Sequence, residues 1–83
     1  MNREWVLFHL AEARDELTKT MDEIRDTPDY GYGEFSAAMQ HLYYHVNTAW
    51  NSWDATEAQV KGQTGQDFTK WAAFPTDLPM MEG

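Results

Sequence analysis

Apolar residues recur along this chain at the spacing of an α-helix in two long stretches. In the first, Val6, Leu10, Ala13, Leu17, Thr20 and Ile24 follow at steps of four, three, four, three and four, with Met21 widening the stripe. In the second, Phe35, Met39, Leu42, Val46, Ala49 and Trp53 repeat those steps. Such spacing lines one face of a helix. No Gly or Pro interrupts residues 3–27, and Ala, Leu, Glu, Arg and Met, all good helix formers, dominate there. Asn2 is suited to cap the first helix.

The pattern predicts one helix over about 3–26 and a second over about 34–60. Between them, Thr27-Pro28-Asp29-Tyr30-Gly31-Tyr32-Gly33 ends one helix and permits a turn. Gly62 and Gly65 stop the second. Thr64-Gly65-Gln66-Asp67 then matches a helix-capping pattern, which predicts a short helix over about 66–73. Pro75 and Pro79 frame an extended tail over 75–83.

These elements predict an all-α fold. Two long helices form an antiparallel hairpin, and a short C-terminal helix follows, in one small domain over residues 1–83. One seam between two helices buries too little to offset the entropy of ordering the chain. Two hairpins dimerising into a four-helix bundle would supply the missing burial. Trp5 and Phe8 project away from the seam, and the segment bearing Phe68, Trp71 and Phe74 begins at the same open end. Those five aromatics are the expected interaction surface, with the C-terminal segment covering the first two.

Charge narrows the partners. The formal net charge is −8, which argues against nucleic acid and against an anionic membrane surface, since both attract clustered Lys and Arg. The N-terminal MNREW lacks the apolar run of a signal peptide, and no segment approaches the ~18 apolar residues of a membrane span. A cytoplasmic location is the expectation. Cysteine is absent, so neither a disulfide nor a thiolate metal site is available.

The candidate chemistry lies beside the apolar seam. His9, Glu12 and Glu16 on the first helix, and His41 and His45 on the second, are displaced to the same flank of an antiparallel pair. Glu16 falls axially between His41 and His45. A carboxylate facing two His at i and i+4 suits Zn²⁺ or another divalent cation, and His9 and Glu12 could complete that set. The alternative for the same residues is a solvated polar flank on which the His pair hydrogen-bonds Glu12 or Glu16. Asn47, Thr48, Asn51 and Ser52 read as polar helix surface, and Tyr30 and Tyr32 as a lid on the core. Gly31-Tyr32-Gly33 follows no strand and lacks a third glycine, so it carries no dinucleotide reading. No nucleophile with a base and orienter is recognisable, which leans away from an enzyme. The sequence favours a non-enzymatic assembly or protein-interaction module, with no cofactor required. The rival reading is a metal-binding helical bundle using Glu16, His41 and His45.

Overall fold

A computed structural model of the chain describes residues 1–76. The chain is all-helical over these residues. Helix α1 spans Arg3–Asp26, α2 Tyr32–Asn51, α3 Glu57–Lys61 and α4 Gly65–Ala72. Residues 77–83 of the expected tail lie outside the described residues.

The first helix begins where the sequence indicates. The Asn2 side chain accepts a hydrogen bond from the Trp5 N–H, satisfying one of the donors that every helix start leaves free. The same amide donates to Ala55 O at 2.9 Å, and the Asn2 N–H donates to Trp53 O at 2.8 Å. One residue thus caps α1 and ties it to the far end of α2. At the turn, the Gly31 N–H donates to the Glu34 carboxylate at 2.8 Å. That bond starts α2 at Tyr32, ahead of the expected residue 34, and the two backbone hydrogen bonds it receives hold the Glu34 carboxyl below the usual range. Asn2 meeting Trp53 and Glu16 meeting His41 make α1 and α2 an antiparallel hairpin.

The second helix stops at Asn51 rather than continuing to residue 60. Ser52 Oγ donates back to Thr48 O and accepts from Trp5 Nε1 at 2.8 Å, so its hydroxyl is committed to the helix end. Thr56 then opens α3. Its hydroxyl accepts from the Gln59 N–H at 3.1 Å, and its own N–H donates to the Gln59 side chain at 2.8 Å. Thr56-x-x-Gln59 is a capping box that competes with continuation of the longer helix. The Thr64–Asp67 box starts α4 in the same way.

Burial departs from the expected seam. Leu10, Ile24, Val46 and Trp53 are 46%, 50%, 41% and 50% exposed. Among the described residues, Ala13, Ala49 and Ala55 are the buried apolar ones, alongside His9, Thr20, His45, Asn47, Thr48 and Ser52. The two helices meet along the neighbouring stripe, His9–Ala13–Glu16–Thr20 against His41–His45–Thr48–Ser52. Ala and Thr are small there, and the three rings and the carboxylate hydrogen-bond across the gap. The Leu/Val/Trp stripe is left facing outward.

Helix α4 packs on a different side of α2. Phe68 stacks on Tyr44 with ring centroids 5.0 Å apart, and Phe74 meets Tyr43 edge-on at 5.1 Å. The carbonyls that end a helix need outside donors. Asn47 Nδ2 donates to Ala72 O at 3.1 Å, and Asn51 Nδ2 reaches Trp71 O at 2.8 Å and Ala73 O at 2.6 Å. The two asparagines therefore fasten α4 rather than decorate a polar surface. Asn51→Ala should cost about 1 kcal/mol through these lost bonds. Faster amide hydrogen exchange in α4 than in α1 is the expected readout, and unchanged exchange would contradict the role.

Candidate functional site

The three histidines and Glu16 form one continuous chain of contacts inside the hairpin. Glu16 Oε1 lies 3.1 Å from His41 Nδ1. His41 Nε2 lies 3.0 Å from His45 Nε2, and His45 Nδ1 lies 2.8 Å from His9 Nδ1. Helical spacing explains the order. His41 and His45 are one turn apart on α2, while His9 and Glu16 are nearly two turns apart on α1 and bracket them.

The chain meets solvent at His41 and ends in the interior at His9. The His41 side chain is 51% exposed, that of Glu16 is 10%, and residue His9 is 1% exposed. Aromatic rings wall the inner end. Trp5 sits edge-on to His9 at 4.4 Å, Phe8 at 5.0 Å and Tyr44 at 5.9 Å. His9 Nε2 is buried there without a hydrogen-bond partner, as is Thr48 Oγ1 nearby on α2.

Hydrogen-bond logic fixes the protons when all three rings are neutral. The Glu16 carboxylate can only accept, so His41 carries its proton on Nδ1. Its Nε2 is then an acceptor, and His45 must donate from its own Nε2. His45 Nδ1 in turn accepts from His9 Nδ1–H. The proton-free nitrogen left over is His9 Nε2, the buried atom without a partner. Burial lowers the His9 pKa to about 4, with the neighbouring His45 acting in the same direction. Burial and His41 also lower His45, against a smaller opposing pull from Glu12 and Glu16.

A pH dependence follows. Unfolding returns His9 from about 4 to its ordinary 6.5, so the unfolded chain binds more protons between those values. Stability is then full above pH 6.5 and falls as pH drops toward 4. A shift of that size corresponds to about 3 kcal/mol. The ring in contact with His9 is His45, which burial also lowers, so its protonation adds to the same loss on the acid side. Denaturant unfolding at a series of pH values should show the loss, and His9→Leu should flatten the curve between pH 4 and 6.5. An equally steep curve in His9→Leu would assign the acid sensitivity elsewhere.

The sequence-derived set Glu16, His41 and His45 is thus brought into contact, with His9 joined to it. The arrangement is serial, because Glu16 and His45 touch opposite nitrogens of His41. Among the described residues, no three His, Asp or Glu side chains form a ready-made metal cluster. Glu12 makes no hydrogen bond to any of the three rings and acts on His45 through its charge.

The aromatic set behaves as two groups. Trp5 meets Trp71 edge-on at 6.0 Å, and Phe68 and Phe74 lie on the α2 tyrosines. Phe8 remains 52% exposed. Above the apolar stripe, Met1, Val6, Leu10, Val46, Ala49, Trp50 and Trp53 line an open groove of about 630 Å³. Sequence reasoning found most of those residues but assigned them to the interior. No helix among the described residues is long and apolar enough to cross a membrane. Comparison with known protein families, with characterised proteins and with solved structures finds no match to this chain.

Proposed function

We propose that this chain is a self-assembling helical hairpin, two copies of which close into a four-helix bundle that serves as an assembly or protein-interaction module. The observation that carries this reading is the reversal of burial. The hairpin interface takes the histidines, Thr and Ala, while Leu10, Leu17, Ile24, Phe35, Val46 and Trp53 stay 40% exposed or more. An apolar stripe running the length of both long helices is far more than the scattered apolar exposure of a monomer.

A second copy suits that stripe because it would bring an equally apolar face against this one. Trp50 and Trp53 project beside the groove bounded by Val6, Leu10 and Val46. In a two-fold pair the same apolar face of each hairpin would cover that of the other. The net charge of −8 opposes association, so the interface must be driven by apolar burial and strengthen with salt.

Thermal unfolding across a hundredfold range of protein concentration tests the reading. A dimer that gains its stability on association melts higher as concentration rises. A melting temperature that does not move with concentration would overturn it.

A further inference from the structure

We infer that His41 and His45 form a two-imidazole seat for a divalent transition-metal ion, with Glu16 and His9 as the groups that orient the two rings. This goes beyond the assembly reading and does not depend on it. The two Nε2 atoms face each other across 3.0 Å. Zinc–nitrogen bonds of ~2.0–2.1 Å in tetrahedral geometry hold neighbouring ligand nitrogens about 3.3 Å apart. The nitrogen separation is thus within a few tenths of an ångström of that in a metal site, and each ring must tilt so that its Nε2 lone pair turns from the other ring to the shared ion.

The second observation is what each ring does with its other nitrogen. A metal-bound imidazole ordinarily gives its remaining N–H to a carboxylate or another fixed acceptor, which sets its tautomer and direction. His41 Nδ1 is on Glu16 Oε1 at 3.1 Å, and His45 Nδ1 is on His9 Nδ1 at 2.8 Å. Both rings therefore have their Nδ1 atoms held and their Nε2 atoms converging. Two imidazoles of i, i+4 spacing on a helix suit Zn²⁺, Ni²⁺ or Cu²⁺ rather than Mg²⁺ or Ca²⁺, which prefer oxygen. The exposed side of His41 leaves the remaining coordination positions open to water.

Proton positions balance without net release. Before binding, the three protons sit on His41 Nδ1, His45 Nε2 and His9 Nδ1. With the ion on both Nε2 atoms, His45 holds its proton on Nδ1 and donates to His9 Nδ1. His9 then carries its proton on Nε2. Three protons are present before and after: one leaves His45 Nε2 to water, one crosses from His9 Nδ1 to His45 Nδ1, and one is taken up from water by His9 Nε2.

Calorimetric titration of the purified chain with Zn²⁺ at pH 7.5, and ¹⁵N spectra of its imidazoles, test the inference. The expected results are one ion per chain, ligation at Nε2 of His41 and His45 with Nδ1 protonated in both, and a switch of His9 from its Nδ1–H to its Nε2–H form. His41→Ala, at the exposed end, should keep its helical circular dichroism and lose binding at least tenfold. Glu16→Gln should bind one ion about 10–100-fold more weakly. Failure to bind millimolar Zn²⁺, undiminished binding by His41→Ala, or binding through Nδ1 or through Glu16 itself would each overturn it. Should His41→Ala unfold, the ¹⁵N assignment in the unaltered chain and the Glu16→Gln affinity decide the matter.

Discussion

Replacing Leu10 and Val46 together with glutamate should abolish association and leave a chain with little residual helix at micromolar concentration. Each side chain is already about half covered within one hairpin, so docking adds on the order of 1 kcal/mol of apolar burial apiece. The larger effect is the introduced carboxylate. Burying an unpaired charge costs several kcal/mol per ion, and a two-fold interface repeats both substitutions. The sum exceeds the ~5–15 kcal/mol that stabilises an ordinary small domain. Thr18→Glu is the control, since Thr18 is exposed and lies off the stripe. Circular dichroism and solution mass read the result together. A doubly substituted chain that stays helical and dimeric would show that this face is not the interface.

Trp5→Ala should be the most damaging single truncation. The indole links three elements at once: its Nε1–H donates to Ser52 Oγ at 2.8 Å, its ring meets Trp71 at 6.0 Å, and its edge contacts His9 at 4.4 Å. Loss of a large aromatic from a packed site costs ~3–5 kcal/mol, and Trp5 is partly exposed, so about 3 kcal/mol is expected. Trp5→Phe separates the contributions, retaining ring packing and losing the hydrogen bond, for about 1 kcal/mol. Denaturant titration of the three proteins gives the comparison. Equal costs for Phe and Ala would mean that the Ser52 bond outweighs the ring contacts.

Helix existence was legible in the sequence because local rules govern it. Asn2 as a cap, the Pro28–Gly33 break and the Thr64–Asp67 capping box each act within one turn of chain. The end of the second helix was less legible, since Val60 continues the apolar period and draws the eye past Ser52. Thr56-x-x-Gln59 is the signal that could have found it. Which stripe faces the partner helix was not legible at all. Periodicity identifies an apolar face but not what it meets, and an apolar face left on the surface has the same pattern as a core. The polar flank, expected beside the seam, is instead the contact between the helices, and its burial depends on Ala13, Thr20 and Thr48 being small and on the histidines satisfying one another. Asn47 and Asn51 illustrate the same limit. Their value arises only when the end of α4 arrives with carbonyls to satisfy, a contact some twenty residues distant along the chain.

Solution mass is the most direct test of the central claim, that the exposed apolar stripe is where two copies meet. Sedimentation equilibrium of the unaltered chain at micromolar concentration should give twice the 9.7 kDa chain mass. The dimer should persist at high salt, where screening weakens repulsion between the acidic copies. A species of 9.7 kDa that also melts cooperatively would contradict the account, because the hairpin and α4 would then be sufficient as a folded unit with the stripe in water.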